Sequence, residues 1–232
     1  WGGVPPPSPP PGYPFFLSLF FRLFASPHLP IRLAQAVLGS VLCVMVYRMA
    51  LRTGAGRTAS LIAGLFYAVF PSNLSAASAF WTEGLFALLV VGSIYAGTAE
   101  QRWGPALSGA ALAAACYVRP SGLLLLPFIY AADIVRHRPR QYLLRTAAVA
   151  LTLAACTAPW ACRNTLLFGR PAWLSTHFGM NFYVAHHPGA AVGYHADSIL
   201  DSVEHSGLSE PEQSRVLAGK GLDCIRAAPL RS

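Results

Sequence analysis

No acidic residue precedes Glu83, which stands in SAFWTEGLF at the start of an apolar run. A carboxylate there can take a proton as a general base, bind a metal, or pair with a cation. The plainer alternative is an acid at a helix N-terminus, stabilised by the helix dipole by about 0.3–1 kcal/mol. Arg119, in CYVRPSG, lies between two apolar runs. An unpaired guanidinium is costly in such a place, so Arg119 requires an anionic partner. That partner is either Glu83 or a ligand phosphate, for which arginine has paired donors. Arg163, in APWACRN, follows the last long apolar run and either anchors to lipid headgroups or joins the same site. The loop STHFGMNFYVAHHPGAAVGYH comes next, with Asn181, Tyr183, His186 and His187. Adjacent histidines rarely hold one metal between them, and no Cys or Asp completes a ligand set, so no metal site is read here.

The elements that must position these groups are apolar. Of the 232 residues, 54% are apolar and only 11% charged, against about 25% charged in a soluble domain. So few charges cannot cover a water-facing surface, and the fold class expected is an all-α multi-pass membrane protein. The formal charge of +8 comes from basic residues that are all arginine except Lys220. They are dispersed into short loops between apolar runs, which is a topology signal and excludes nucleic acid as a partner. Cys43, Cys116, Cys156, Cys162 and Cys224 show no metal-ligand spacing, and most read as small buried hydrophobes.

Residues 1–14 are rich in Pro and Gly and predict an extended segment that is not helical. Residues 15–24 are apolar but short of the ~20 residues a span needs, so they predict an interfacial or re-entrant helix. The runs 31–50, 58–70, 82–97, 105–118, 122–135 and 146–160 predict about six spans. Several are short and must tilt or borrow flanking residues. Gly39, Ser40, Gly64, Gly109 and Ala113 suit close packing between these helices.

Arg48, Arg52, Arg57, Arg102, Arg136, Arg138, Arg140 and Arg145 fall on one side of the alternating topology, which makes that side cytoplasmic. Asp133 reads as an interfacial ion near Arg136 on that side. Beyond residue 162 the chain turns polar, and Ser209 followed by Pro211 and Glu212 is a helix-start pattern. The division expected is an extracytoplasmic Pro-rich segment with an interfacial helix (1–30), a transmembrane helix bundle (31–162), and an extracytoplasmic loop and helix (163–232). The chain begins at Trp1 and stops soon after a predicted helix, and it reads as a fragment lacking both natural ends.

Pro11–Pro14, Glu83, Arg119, Arg163 and Asn181 thus fall on one expected membrane face. A carboxylate with two arginines suits a phosphate-bearing lipid substrate. It suits the anion-binding vestibule of a transporter or flippase equally well, and charge and periodicity leave both open.

The order of short motifs carries more. PPGYPFFLSLFFRLF, then IRLAQAVLGSVLCVMVYRMALRTGAGRTASLIAGLFYAVFPSNLSAASAFWTEGLFALL, then YVRPSGLLLLP and PWACRNTLLFGRPAWLSTHFGMNFYVAHHPGAAVGY resemble the glycosyltransferase family 39-like proteins. These include the dolichyl-phosphate-mannose–protein mannosyltransferases and the lipid A aminoarabinose transferases. The resemblance implies a transmembrane bundle of the GT-C type in a bacterial inner membrane, with its active face outside. It implies sugar transfer from a polyprenyl-phosphate donor to a lipid, glycan or protein acceptor. Glu83 then matches the family's second acidic site and is the catalytic candidate. Pro11, Gly12, Tyr13 and Pro14 match the segment beside the lipid phosphate, and Arg119 the Arg-Pro turn. Arg163 and Asn181 complete the expected binding set. The family's principal base, an Asp in an outer loop, is expected upstream of Trp1. Nothing in the sequence demands a metal or other cofactor.

Overall fold

Every element that the computed structural model describes, over residues 10–99, 101–128, 139–188 and 208–227, is helical. Residues 129–138, which hold Asp133, Arg136 and Arg138, lie outside the described residues, as do residues 1–9 and 189–207. Two compact units divide the chain, Pro10–Thr157 and a second that holds Ala158 onward.

In the first unit, α1 (Gly12–Leu23) begins inside the segment expected to be extended. The correction is local: Pro11 sits at the N-cap with a helical backbone and Pro14 falls in the first turn, where the amide that proline lacks has no partner anyway. Phe15 N donates to Pro11 O at 2.9 Å and closes the first turn. Tyr13, Phe16, Phe20 and Phe24 form a ladder of rings along one side, whereas Phe15, Phe21 and Leu23 are exposed.

The following helix, α2 (His28–Arg52), buries Ile31, Gln35 and Leu42 on one stripe. It ends in a Schellman turn: Gly54 adopts φ +88°, Gly54 N donates to Leu51 O, and Ala55 N donates to Ala50 O. A residue with a Cβ would be strained at Gly54.

After α3 (Arg57–Val69) the chain breaks at Phe70, which is extended because Pro71 follows it. Between the runs 58–70 and 82–97 lies a short helix, α4 (Pro71–Ser78), and Asn73 Nδ2 donates back to Tyr67 O at 2.8 Å. The helices α5 (Glu83–Gly97) and α6 (Gly104–Val118) form a tight antiparallel pair. Ser93 Oγ donates to Ser108 O at 2.9 Å, and Ser93 and Ser108 are both fully buried. A Cβ on Gly104 would come within 2.6 Å of Ala96 O, and one on Gly109 within 2.6 Å of Val149 O. The small residues of α6 therefore let backbones approach on more than one side, which makes α6 the central helix.

Pro120–Leu125 then forms a 3-10 helix where the run 122–135 was expected to open as a span. The long helix α7 (Pro139–Phe168) carries Pro159 within it, and the division between the two units falls along it.

Two described helices, α2 and α7, are long and apolar enough to cross a membrane. At 1.5 Å per residue, the 25 residues of α2 span roughly 37 Å, more than the ~30 Å hydrocarbon core. Shorter apolar helices α3, α5 and α6 have 13, 15 and 15 residues, or roughly 20–22 Å each. The expected six spans thus resolve into two helices of crossing length and three shorter ones. The run 122–135 continues outside the described residues.

Among the small residues expected at helix contacts, Gly64, Gly109 and Ala113 are packed. Gly39 and Ser40 are not: a Cβ on Gly39 meets nothing within 4 Å, and Ser40 is exposed.

The second unit closes α8 (Phe178–His186) on α9 (Glu210–Ala227). Met180 and Leu217 are buried there, with Tyr183 and Val184 packed against them. Gly179 lies so close to the Ser214 backbone that a side chain would overlap it, and Gly179 N donates to Ser214 Oγ at 3.0 Å. The helix-start pattern forms the carboxylate half of a capping box: Ser209 N and Ser209 Oγ both donate to Glu212 Oε2, at 3.1 and 2.6 Å, while Glu212 N donates to Ser209 O. Arg170 Nη2 pairs with Glu212 Oε1 at 2.7 Å. The Ser209 hydrogen bonds, with Arg170 nearby, hold the Glu212 carboxyl below the usual carboxylate range.

Two outcomes follow from this packing. Gly109→Ala should destabilise the protein by about 1–3 kcal/mol in a detergent unfolding titration, because its methyl meets backbone. Gly92→Ala, where a Cβ meets nothing within 4 Å, should be neutral or stabilising by up to about 1 kcal/mol. A depressed carboxylate contributes stability above its unfolded value and loses it as pH falls through its folded value. Hydrogen-exchange protection of the first turn of α9 should therefore drop on acidification below the ordinary carboxylate range. Glu212→Gln should flatten that dependence.

Candidate functional site

Because α5 and α6 run antiparallel with short connections, the start of one lies beside the end of the other. Glu83 is the first residue of α5. Arg119 follows the last residue of α6 and is extended, as the residue before Pro120 must be. Arg119 Nη2 meets Glu83 Oε1 at 2.5 Å, and Arg119 Nε donates to Thr82 Oγ1 at 2.8 Å. Thr82 Oγ1 lies 3.4 Å from Glu83 Oε2. Of the two partners left open for Arg119, the protein supplies Glu83.

Both side chains of the pair are 44% exposed. Ion pairs of that kind contribute ~0–1 kcal/mol, too little to explain two charges at helix ends by stability alone. A guanidinium carries five N–H donors, and Thr82 and Glu83 take only Nε and Nη2.

The Pro-Gly-Tyr-Pro segment comes to the same place. Gly12 packs against the last turn of α6, where a Cβ would come within 2.8 Å of the Tyr117 backbone. Pro11 is the N-cap of α1, and Pro14 is exposed in its first turn. Tyr13 is buried, and its hydroxyl accepts from Gln35 Nε2 at 3.0 Å. The same Nε2 donates to Trp81 O at 3.1 Å. Gln35 thereby ties α1 and α2 to the strip of chain that leads into Thr82 and Glu83. Burial pushes the Tyr13 phenol up, against the Gln35 bond and with help from the Glu83 charge, so it remains a neutral hydroxyl. Glu83 also lines a cavity of about 100 Å³ together with Gln35, Tyr67 and Asn73.

At the opposite end of α5 the arginines of the basic loops collect. Arg52 Nη1 donates to Tyr95 O at 2.9 Å, and its guanidinium lies 3.5 Å from the centre of the Tyr95 ring. Arg145 Nη2 donates to Gly97 O and to Ala99 O. Cations at a helix C-terminus satisfy its last carbonyls and oppose its dipole.

Arg163 and Asn181 belong to the second unit. Arg163 Nη1 donates to Asn164 Oδ1 at 2.9 Å and its guanidinium lies over the Trp160 ring, while Asn164 Nδ2 reaches Trp173 O. Asn181 is an exposed residue of α8. His186 Nδ1 is 2.7 Å from Phe182 O. Among the described residues no three His, Cys, Asp or Glu side chains cluster as metal ligands.

Thr82 and Gln35 were not singled out from the sequence. Gln35 carried a usable signal: a lone amide inside a long apolar run is expensive and so points to function or to a specific partner. Thr82 carried none, since its role depends on where Arg119 arrives.

The family described as dolichyl-phosphate-mannose-protein mannosyltransferase matches residues 8–161. The chain belongs to that family. Neither the curated proteins nor the solved structures gave a match. Membership makes the chain a membrane glycosyltransferase of the mannosyltransferase type. The matched stretch holds the Pro-Gly-Tyr-Pro segment, Glu83 and Arg119, and it ends before Arg163 and Asn181.

Arg119→Gln in this mannosyltransferase relative should lower unfolding stability by no more than about 1 kcal/mol. Measured in detergent micelles, a loss several times larger would mark the Glu83 pair as a structural bond.

Proposed function

We propose that the chain transfers a sugar from a polyprenyl-phosphate donor to a hydroxyl of a lipid, glycan or protein acceptor at the extracytoplasmic face of the inner membrane. The observation that supports this reading is the half-exposed cluster of Thr82, Glu83 and Arg119 at paired helix ends, beside the buried hydroxyl of Tyr13. The arginines at the far end of α5 agree with a cytoplasmic assignment for that end.

In this reaction the acceptor oxygen bonds to the anomeric carbon as the bond from that carbon to the phosphate oxygen breaks. The lipid phosphate leaves with the electron pair. Arg119 supplies fixed donors for the charge gathering on its oxygens, where preorganised charge is most effective. The proton of the acceptor hydroxyl must go to a base within hydrogen-bond reach, and Glu83 is the carboxylate that the described site supplies, beside the Asp expected upstream of Trp1. Its Oε1 is held by Arg119, and its Oε2 has Thr82 Oγ1 at 3.4 Å. Arg119 therefore also sets the orientation of the base. Pro11, Gly12 and Pro14 fix the backbone of the Tyr13 segment beside the phosphate.

Transport or flipping of an anionic lipid would use the same arginine, and family membership rather than local geometry favours transfer. The second-unit residues Arg163 and Asn181 are given no part in this step.

Glu83→Gln retains the hydrogen bond to Arg119 and removes the base. In membranes carrying the full chain it should lower kcat for transfer from a polyprenyl-phosphate sugar by about 10² or more, with membrane insertion unchanged. Wild-type activity in that variant would return Glu83 to the plain role of an acid at a helix N-terminus.

A further inference from the structure

Glu83 stands at the head of α5, yet nothing within α5 fixes where that head lies. Thr82 is the N-cap residue, with a helical backbone and no side-chain bond to its own helix. Its hydroxyl accepts from Arg119 instead. The chain arrives from α4 through Ala79–Trp81, where Ala79 N donates to Ser75 O and Trp81 N donates to Ala79 O at 2.9 Å. Those bonds shape a local turn and set no position relative to the other helices. The bond that does so is from Gln35 Nε2 to Trp81 O at 3.1 Å, between residues 46 apart in the chain.

For the fold alone, Gln35 is a poor residue. It is 4% exposed within the apolar stretch of α2. Its Nε2 serves both the Tyr13 hydroxyl and Trp81 O, while its Oε1 has no hydrogen-bond partner among the described residues. Burying an amide with one side unpaired carries a cost that an apolar side chain of similar shape avoids. The amide cannot be turned over to relieve this, since its oxygen would then face Trp81 O. Trp81 itself is half-exposed, so its carbonyl has access to water if the amide is removed.

We propose that Gln35 is a positioning residue for Glu83: its amide, steadied by the Tyr13 hydroxyl, fixes the Trp81 carbonyl and so the level at which Thr82 and Glu83 meet Arg119. The inference rests on the sugar-transfer reading for what Glu83 does, and not for where it is held. Trp81 lies two residues before Glu83, so a shift of its carbonyl passes to the carboxylate with little loss. Arg119 comes from the end of another helix and cannot follow that shift. A misplacement of about 1 Å at a reacting group costs up to about 10²-fold in rate. Gln35 acts through Glu83 and needs no contact with substrate.

The test sets Gln35→Met, unbranched and close to glutamine in shape, and Gln35→Leu beside wild type and Glu83→Gln, all in the full chain. Hydrogen exchange in detergent reads the position directly. Both Gln35 variants should exchange severalfold faster over residues 79–86 and as wild type over residues 105–116 of α6. Their unfolding midpoints should be unchanged or raised. In membranes given mannosyl farnesyl phosphate, release of farnesyl phosphate should show kcat lowered by about ten- to a hundredfold, with KM within about twofold of wild type. Gln35→Met combined with Glu83→Gln should be no slower than Glu83→Gln alone, because a residue that acts only through Glu83 then has nothing to act on. Unchanged exchange over 79–86 overturns the proposal, as does wild-type kcat in both Gln35 variants beside an impaired Glu83→Gln. Losses that multiply in the double variant overturn it too. So does unfolding of both Gln35 variants, which would make the amide a bond of the fold. Full activity of Glu83→Gln removes the transfer reading instead, and exchange over 79–86 then decides by itself whether Gln35 holds this strip.

Discussion

The close approach of α5 and α6 is the constraint on which the rest of the first unit depends. Two buried serines, Ser93 and Ser108, bond across the pair, and Gly104 brings the α6 backbone against the last carbonyls of α5. Between membrane helices there is no hydrophobic gain to hold such a pair, so small residues and interhelical hydrogen bonds do it. Once the pair is closed antiparallel, the N-terminus of α5 and the C-terminus of α6 become neighbours. Thr82, Glu83 and Arg119 meet for that reason and for no local one.

The same pair separates two kinds of polar chemistry along α5. At its C-terminus, Arg52 and Arg145 satisfy carbonyls that the helix itself cannot. At its N-terminus, Glu83 takes the place where the helix dipole favours negative charge. Arg119, at the C-cap of α6 where that helix's dipole favours a cation, is held by Glu83 and Thr82. Gln35 lies at the Glu83 end, bonded to Tyr13 and to Trp81 O. Among the described residues its oxygen has no hydrogen-bond partner, and burial in that state is costly.

Much of this was legible in the residues. Glu83 and Arg119 stood out because each is a charge at the edge of an apolar run, where charge requires a reason. The capping box of Ser209 and Glu212 was legible because it is a contact over three residues, decided locally. The Pro-rich start was misread at Gly12–Pro14, since composition reports the low helix propensity of proline and says nothing of its tolerance in a first turn. Gly39 was grouped with the packing glycines on composition, yet its neighbours in space are absent where those of Gly109 are close. A glycine that brings two helices together and one that leaves a gap are the same letter.

The sequence by itself determined that this is an apolar helical chain of the membrane mannosyltransferase family, with few charges placed at the edges of its helices. Hydrophobic runs, breaks at proline and glycine, and the order of short motifs are properties of the chain and survive without coordinates. Tertiary structure decided which charges became partners, which glycines close contacts and which line a cavity, and which helices are long enough to cross. Those outcomes depend on where residues far apart in the chain arrive. Arg119 is paired with Glu83 because α6 returns alongside α5, and Gln35 is left one donor short because α1 and the Trp81 carbonyl reach only one side of its amide.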